Sequence, residues 1–457
     1  MDMHYRILGG EPLRGDVTIG GSKNAALPLI AASMLYDGET VLHNVPRIRD
    51  TEVMLRILEF LGAETCFEPS GTVRISTKHL RSKPIPEELV SKLRASIIFL
   101  GPLLARFGVV EMAYPGGCVL GKRPLDANVS SLLQMGAEDM STETTLHLQG
   151  TLQPSLVILP EFSVTATESV LLAAATLSGE TRIELAAAEP HVQDLEQALM
   201  STGVEIDGIG EHSVRVRGRK DVSSLTHTVT NDYLEVGTLL VATLVTKGKV
   251  RLHGVDDEHL LSFLDVVKRM GGVFRYDTVE KVLFVDGELS SLQAVNIKTN
   301  IHPGFPTDLQ APMGVAMSQA QGVSRIFERL YERKLSYLYE LEKMGAHVEV
   351  LNAREALIIG PRPLRGRTVA SNDIRAGAAM VLAALCAEGE TTVTDVRYIE
   401  RGYDRLDEKL VSLGARMERV IIGDDGKIRQ QVAEKTVESV TGEMQSISPL
   451  VSTTYNL

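Results

Sequence analysis

The sequence predicts a mixed α/β fold, in which two pseudo-symmetric domains each contain three copies of one structural unit. Three observations lead to this prediction. A short phrase of an apolar residue, a glycine and a small residue recurs six times, at intervals of about 70 residues. An amphipathic segment precedes each copy of this phrase, and a short alternating segment follows it. A second segment, apolar on all sides, lies earlier in each unit and indicates a buried helix.

The repeated phrase marks the predicted end of a helix. It reads "LGAE" from Leu61 and "LGAR" from Leu413, and glycine readily adopts the left-handed conformation that ends a helix. The segments before these two copies, "DTEVMLRILEF" and "GYDRLDEKLVS", carry apolar residues at helical spacing. The six glycines predicted to end helices are Gly62, Gly136, Gly203, Gly271, Gly345 and Gly414.

The apolar segments predict six buried helices, one in each unit. Each segment is rich in small and aliphatic residues, and most end in a turn such as "DGET" or "KGKV" that leads into a strand. A solenoid is the usual interpretation of a sequence repeat, but units of about 70 residues exceed the usual solenoid repeats. Two globular domains with a cleft between them fit better. The six segments are residues 23–40, 95–108, 167–181, 235–249, 307–322 and 374–391.

Composition excludes several classes of function. The chain has 457 residues and a formal net charge of -12, which argues against nucleic acid or an anionic membrane surface as a partner. We see no apolar stretch that approaches the length of a membrane span. Three cysteines are too few for a disulfide framework and favour a reducing, cytoplasmic location. We expect no metal and no other cofactor.

One of the three cysteines, Cys118, lies in the stretch "AYPGGCVLGKRPLD", whose proline and glycines indicate an exposed loop. The nearby cations Lys122 and Arg123 would lower the pKa of its thiol and favour the reactive thiolate. Cys386, in contrast, lies in an apolar segment and is interpreted as a packing residue. From the loop alone, a surface thiol without a role is an equally simple interpretation.

Several stretches resemble the enolpyruvyl transferase family, in the order expected for that family. They are "GSKNAALP", "PGGCVLGKRPLD", "HPGFPTDLQA", "NDIRAGAAMVLAAL" and "IERGYDRLDEKL". The resemblance implies two inside-out, barrel-like α/β domains of three βαβαββ-type units each, with the active site in the interdomain cleft. It also implies the domain boundaries. Residues 1–22 and 230–425 would form one discontinuous domain and residues 23–229 the other. The resemblance does not cover the remaining residues, 426–457, where the repeat stops and the polar sequence predicts one exposed helix and a partly disordered tail.

The activity implied by the resemblance is transfer of the enolpyruvyl group from phosphoenolpyruvate to the 3′-hydroxyl of UDP-N-acetylglucosamine, with release of phosphate. This reaction would serve peptidoglycan precursor synthesis. Phosphoenolpyruvate carries a phosphate and a carboxylate, both of which arginine binds well. The resemblance implies that Lys23, Arg123 and Arg401 hold it, with Arg375 in support. Arg94 is the fifth candidate cation in the family-like stretches.

The resemblance further implies that Cys118, Asp308 and Lys23 are catalytic residues. Cys118 would deliver a proton to the methylene carbon, on a loop that closes and excludes water. Asp308, in "FPTDLQ", would take the proton of the acceptor hydroxyl, although an aspartate at this position is also typical of a helix N-cap. The remaining substrate-binding candidates are Asn24 and Glu189 for the acceptor sugar, Ser163, and Asp373 beside an arginine.

Four stretches depart from the family pattern, largely on the acceptor side. Asn128 stands where the family usually has histidine, Thr165 where it has glycine, and Tyr233 where it has arginine. Residues 331–335 read "YERKL" in place of "FENRF". Two other hypotheses therefore stay open: a related transferase for another nucleotide or nucleoside hydroxyl, or a binding protein without activity. The retained cysteine, aspartate and cations argue against the second of these.

Overall fold

A computed structural model describes residues 2–116, 125–220, 224–422 and 428–431. Cys118 and Arg123 lie outside the described residues. Within these ranges the chain forms thirteen α-helices and 24 strands, and the strands belong to six separate sheets. None of these described sheets is a closed barrel. The predicted mixed α/β class is confirmed.

The helices follow the predicted order along the chain. The α-helices are α1 (Lys23–Ala32), α2 (Arg49–Leu61), α3 (Glu87–Val90), α4 (Leu100–Phe107), α5 (Asp126–Gln134), α6 (Val164–Ala174), α7 (Pro190–Ser201), α8 (Tyr233–Val245), α9 (Leu261–Arg269), α10 (Gln310–Ser318), α11 (Tyr337–Lys343), α12 (Ile374–Cys386) and α13 (Leu406–Ser412). Short 3-10 helices cover Ser33–Leu35, Arg94–Phe99, Asp257–Leu260, Thr307–Leu309 and Val396–Arg401.

The strands are short and occur throughout the chain. They are β1 (Asp2–Leu8), β2 (Arg14–Thr18), β3 (Glu39–His43), β4 (Glu64–Phe67), β5 (Val73–Ser76), β6 (Val109–Ala113), β7 (Glu138–Asp139), β8 (Thr145–Gln149), β9 (Leu156–Ile158), β10 (Gly179–Glu184), β11 (Glu205–Asp207), β12 (Ser213–Gly218), β13 (Leu225–Thr228), β14 (Lys249–His253), β15 (Val273–Asp277), β16 (Val282–Asp286), β17 (Asn296–Lys298), β18 (Gly322–Phe327), β19 (His347–Asn352), β20 (Glu355–Gly360), β21 (Thr368–Ala370), β22 (Glu390–Thr394), β23 (Arg416–Ile422) and β24 (Ile428–Gln431).

The two kinds of helix predicted from the repeat are both present. All thirteen residues of α8 are buried, and eleven of the thirteen residues of α12 are buried, from Arg375 to Leu385. Each of the six predicted helix-ending glycines has a positive φ, between 87° and 106°. A side chain would strain the backbone there, so the glycines end the helices as predicted.

Five of the six sheets share one strand order. A parallel pair forms one edge, and two antiparallel pairings follow it, as in β9-β10-β12-β11 and β17-β18-β20-β19. In two sheets, β13-β3-β5-β4 and β2-β14-β16-β15, the edge strand of the parallel pair (β13 or β2) is distant in sequence from the other three strands. In the last unit β1 pairs between β22 and β23. The first strand of the chain therefore completes the last repeat.

The C-terminal expectation is wrong where the structure describes it. We predict an exposed helix here, but residues 428–431 form β24, which pairs antiparallel with β23. The edge of β23 offers unpaired backbone donors and acceptors, and an extended segment satisfies them. The rest of the predicted helix and tail lies outside the described residues.

Two hydrophobic cores organise the molecule. The continuous core draws its buried side chains from residues 25–229, and the discontinuous core draws them from residues 5–19 and 233–417. We predict that the chain changes domain at 22/23 and 229/230, and these boundaries stay a prediction. In the part of the chain that the structure describes, no helix is both long and apolar enough to cross a bilayer.

The chain passes between the two cores along two neighbouring segments. Gly21 and Asn231 form an antiparallel bridge, and Asn44 Nδ2 donates to Asn231 Oδ1 at 2.8 Å. A Cβ atom on Gly21 would lie 1.7 Å from the carbonyl oxygen of Asn44. Only glycine therefore fits at this crossing, which places Lys23, two residues later, beside the junction of the cores.

The contact between α4 and α6 gives a test of the packing. A Cβ atom on Gly101 would lie 2.0 Å from the carbonyl oxygen of Ser169. We therefore expect Gly101→Ala to lower the free energy of unfolding by about 1–3 kcal/mol, measured by urea denaturation. At Gly20, the added Cβ would meet only the end of the flexible Lys409 side chain and the Glu235 carboxylate. Gly20→Ala is the control, and equal losses in both variants would contradict the prediction.

Candidate active site

Lys23 is the first residue of α1, where free backbone N–H groups favour an anion. The hydroxyl of Ser22 caps this helix and accepts a hydrogen bond from the backbone N–H of Ala25 at 3.4 Å. Asn24 follows Lys23, and both residues are half-buried. Two predicted site residues thus stand together at one helix N-terminus.

Asp50 connects two of the predicted cations. Its carboxylate is 2% exposed and lies in the first turn of α2. Arg401 Nε donates to Asp50 Oδ1 at 2.8 Å, and Lys23 Nζ lies 3.5 Å from Asp50 Oδ2. Lys23 and Asp50 come from the segment of the continuous core, and Arg401 from that of the discontinuous core. The ion pair therefore connects the segments of the two cores.

Asp308 lies in a second cluster of charges. Lys334 Nζ contacts Asp308 Oδ1 at 2.5 Å, and Arg375 Nε donates to Asp308 Oδ2 at 3.1 Å. Both cations are buried, whereas 30% of the Asp308 side chain is exposed. Burial by itself raises the pKa of Asp308, but Lys334, Arg375 and Lys23 together hold it well below its usual range. Asp308 is therefore an ionised carboxylate with one face open.

Arg375 is held by the start of α12 and by an aromatic ring. Asp373 caps this helix, and its Oδ1 accepts from the backbone N–H groups of Arg375 and Ala376 at 2.8 Å each. The guanidinium carbon lies 5.0 Å from the ring centroid of Tyr403. Its buried Nη1 makes no hydrogen bond to the described residues. An unpaired buried donor is costly, so a bound acceptor atom would stabilise it. Asp373 thus orients an arginine through the backbone.

The two clusters influence each other electrostatically. Burial lowers the pKa of the Lys23 ammonium, Asp50 opposes this change, and Arg375 and Arg401 add to it. Lys23 also lies close enough to Asp308 to lower the pKa of that carboxyl. The predicted residues Lys23, Asp308, Arg375 and Arg401 are thus brought together, and an anion among them would relieve the repulsion between the cations.

A second group of side chains surrounds Glu189. Burial raises the pKa of Glu189, although the nearby backbone of His302 opposes the rise. Glu168 is buried, and burial together with Glu189 raises its pKa well above the usual value. Burial lowers the pKa of His191 to about 3, which leaves the imidazole neutral at pH 7. Burial therefore disfavours the charged forms of all three side chains.

Tyr233, one of the departures from the family pattern, lies within electrostatic range of both groups. It is the first residue of α8 and is buried. Burial raises the pKa of its phenol well above the usual value, and Glu189 and Asp308 both contribute to the rise. The phenol is therefore neutral and lies within electrostatic reach of both carboxyl groups.

The departures at positions 128 and 165 contact each other. Thr165 Oγ1 donates to Asn128 Oδ1 at 3.3 Å, and the buried Nδ2 of Asn128 has no hydrogen-bond partner among the described residues. Ser163 caps α6, and its hydroxyl accepts from the backbone N–H of Ala166 at 3.4 Å. The N-terminus of α6 therefore carries a polar pair instead of a glycine backbone.

The remaining predicted residues are Arg94, Cys118 and Arg123. Arg94 is half-buried and begins the 3-10 helix Arg94–Phe99, which packs against α1 and α6. Cys118 and Arg123 lie in residues 117–124, outside the described ranges. Their proposed roles thus rest on the sequence.

Sequence reasoning missed Asp50, Lys334, Glu168 and His191. Asp50 lies in "RDTEV", where an acidic residue in the first helical turn is commonplace. In the sequence, Lys334 is marked only as part of the divergent stretch 331–335. One signal for the missed carboxylates was available: the sequence places several candidate cations at one site, and cations that become buried need carboxylates nearby.

Comparison with known proteins gives consistent matches over most of the chain. Residues 7–410 match the family described as EPSP synthase (3-phosphoshikimate 1-carboxyvinyltransferase). UDP-N-acetylglucosamine 1-carboxyvinyltransferase of Methylacidiphilum infernorum is 41% identical over 423 residues, which cover 91% of this chain and 98% of the relative. The protein of the same name from Magnetococcus marinus is 38% identical over 415 residues, with the same coverage.

Two solved structures share the fold. The enolpyruvyl transferase NikO from Streptomyces tendae superposes with a TM-score of 0.83 at 23% identity, over 92% of this chain and 99% of that chain. EPSP synthase from Acinetobacter baumannii gives a TM-score of 0.71 at 18% identity, over 91% and 99% of the two chains. At these identities the likeness concerns the fold alone.

Asp50→Asn tests whether this carboxylate holds the cations together. Two half-buried cations lose their shared counter-charge, so we expect the free energy of unfolding to fall by about 1–3 kcal/mol, less than for a fully buried pair. Inorganic phosphate should recover more stability in the variant than in the wild type, because an anion can replace the carboxylate. Thermal denaturation with and without phosphate measures both effects.

The control for this test is Asp16→Asn. Asp16 is a surface carboxylate that contacts Arg251 at 2.6 Å and His253 at 2.7 Å. An exposed pair contributes about 1 kcal/mol or less, so this variant should lose little stability and gain nothing special from phosphate. An equal response to phosphate in both variants would show that Asp50 has no particular relation to the anion site.

Proposed function

Because the chain belongs to the EPSP synthase family of enolpyruvyl transferases, we propose that it transfers the enolpyruvyl group of phosphoenolpyruvate to the 3′-hydroxyl of UDP-N-acetylglucosamine. Phosphate is the second product. The observation that carries the proposal is the cluster of Lys23, Arg401, Arg375 and Lys334 around two carboxylates, Asp50 and Asp308. On this proposal the enzyme works in the cytoplasm and supplies a peptidoglycan precursor.

The cation cluster supports phosphoenolpyruvate as the donor. This substrate carries a phosphate and a carboxylate, and each can accept several charge-assisted hydrogen bonds. Lys23 stands at a helix N-terminus, and Arg375 holds one unpaired buried donor. A doubly anionic ligand would satisfy these groups, and we assign Lys23, Arg401 and the sequence-predicted Arg123 to it, with Arg375 in support.

The groups around Glu189 support an acceptor that places sugar hydroxyl and amide groups against them. Burial disfavours the charged forms of Glu168 and His191, and these side chains and the phenol of Tyr233 can each exchange hydrogen bonds with such groups. The names of the sequence relatives also favour UDP-N-acetylglucosamine. We assign Asn24, Glu189 and Ser163 to this substrate.

The proposed chemistry proceeds by addition and elimination. The acceptor oxygen bonds to C2 of phosphoenolpyruvate, its proton passes to Asp308, and C3 receives a proton from Cys118. The Cys118 thiolate then takes a proton back from C3 of the tetrahedral adduct, the C2–O bond to phosphate breaks, the proton on Asp308 passes to the leaving phosphate, and the enolpyruvyl ether remains. Because Asp308 is a weak base in its cationic surroundings, its proton transfer accompanies formation of the new C–O bond.

A second candidate is transfer to the hydroxyl of another nucleotide or nucleoside. The contact between Thr165 and Asn128 favours it, because both residues depart from the family pattern and together form a new polar pair at the N-terminus of α6. A threonine adds bulk where a glycine backbone can approach a phosphate closely. The two candidates share the donor half of the site and differ only in the acceptor.

The reaction itself is tested by phosphate release from phosphoenolpyruvate. We expect release only when an acceptor is present, with UDP-N-acetylglucosamine more active than other UDP-sugars, uridine nucleotides, nucleosides or shikimate 3-phosphate. Mass spectrometry should detect the enolpyruvyl product. Preference for a nucleotide or nucleoside would establish the second candidate, and acceptor-independent hydrolysis would refute both.

The donor and acceptor roles can be separated by mutation. Arg401→Ala removes a charge-assisted contact, so we expect kcat/KM for phosphoenolpyruvate to fall about tenfold to a hundredfold. Asp308→Ala should leave KM for phosphoenolpyruvate nearly unchanged and lower kcat about a hundredfold or more, as for a positioned base. Steady-state kinetics with each substrate varied provide the measurement. An Asp308→Ala enzyme with wild-type kcat would exclude the proposed proton transfer.

A further inference from the structure

We propose that Lys334 is a positioning residue for the transfer reaction, which fixes the Asp308 carboxylate together with Arg375. The inference rests on the proposed role of Asp308. Lys334 is 4% exposed and contacts Asp308 Oδ1, while Arg375 occupies Oδ2. The carboxylate is thus held at both oxygens, and its exposed face stays available to the acceptor hydroxyl.

One buried carboxylate, Glu328, binds both the turn that carries Asp308 and the segment that leads to Lys334. Its Oε2 accepts a hydrogen bond from Thr307 Oγ1 at 2.8 Å, directly before Asp308 in the chain. Its Oε1 accepts from the backbone N–H groups of Leu330 at 2.9 Å and Tyr331 at 3.2 Å, at the start of the segment that leads to Lys334. Glu328 therefore fixes the turn of Asp308 and the segment of Lys334 relative to each other.

The groups around Lys334 keep its ammonium group protonated. Burial lowers its pKa, but Asp308 and Glu328 outweigh burial and raise it overall. Its ammonium lies 5.0 Å from the ring centroid of Tyr331, within range of a cation–π interaction. A buried ammonium with two carboxylates and a ring around it stays charged at neutral pH, and its charge acts mainly on Asp308.

The charged and titratable groups that act on Asp308 come from four helices and from the turn that carries Lys334. Lys23 of α1 and Arg375 of α12 stabilise the ionised carboxylate as Lys334 does, whereas burial opposes ionisation. The neutral imidazole of His191 on α7 and the neutral phenol of Tyr233 on α8 lie within electrostatic range but add no positive charge at neutral pH. Loss of Lys334 therefore shifts the balance toward the protonated, inactive carboxyl.

Lys334→Gln provides the test, with kcat and KM measured from about pH 4 to pH 9. An opposite charge in contact lowers the pKa of a carboxyl by about 1–3 units, so loss of Lys334 should raise the pKa of Asp308 toward its ordinary value and move the acid limb of the profile up toward the low end of this range. Activity should therefore fall most near pH 4 and recover in part as pH rises. KM for phosphoenolpyruvate should stay within about threefold of the wild type. Lys334→Arg keeps the charge and should restore the wild-type acid limb.

Lys409→Gln is the matched control. Lys409 also forms a buried ion pair, with Glu235 at 2.5 Å, in the same core. This variant should lose stability but keep the wild-type acid limb, because its charge does not act on Asp308. If Lys334→Gln does not fold, Lys334→Met, which keeps a chain of similar length, takes its place.

The outcomes separate this inference from the function on which it rests. A wild-type pH profile in Lys334→Gln, with Asp308→Ala still inactive, overturns the role of Lys334 alone. Failure of Lys334→Arg to restore the acid limb also overturns it, because charge would then not be the cause. Full turnover by Asp308→Ala removes the proposed base, and the role of Lys334 with it.

Discussion

The candidate site depends on two carboxylates that keep cations buried in a protein of net negative charge. Asp50 contacts Lys23 and Arg401, and Asp308 contacts Lys334 and Arg375. Without counter-charge, a desolvated lysine would tend to lose its proton and a desolvated arginine would move toward solvent, because burial of an unpaired charge is costly. Since Asp50 and Arg401 come from the segments of different cores, the pair that gathers the charges also connects those segments.

Charge is distributed unevenly around these residues. Asp308 is ionised, because Lys334, Arg375 and Lys23 outweigh burial and hold its pKa far below its ordinary value. Around Glu189, burial raises the pKa of Glu168 well above the usual value and lowers that of His191 to about 3. On the proposed function, the anionic groups of phosphoenolpyruvate would lie at the cations, and sugar hydroxyl groups of the acceptor near Glu189.

The departures from the family pattern are connected in space although they are distant in sequence. Thr165 donates to Asn128, Tyr233 lies within electrostatic range of Glu189 and Asp308, and Lys334 contacts Asp308. The pair at Asn128 is incomplete, because its buried Nδ2 has no hydrogen-bond partner among the described residues. Lys334, in contrast, balances the charge of Asp308, which favours an active enzyme over an inactive relative.

Local rules in the sequence determined the repeat, the six helix-ending glycines and the buried helices, because helical periodicity and the conformational freedom of glycine act within a few residues. The signature stretches likewise pointed to Lys23, Asp308, Arg375 and Arg401. Only the tertiary structure decided which carboxylate meets which cation, that Asp50 shares two of them, and that Lys334 belongs to the site. Those contacts join residues up to 351 positions apart, and long-range pairing of charges is set by how the two cores pack, which no local pattern encodes.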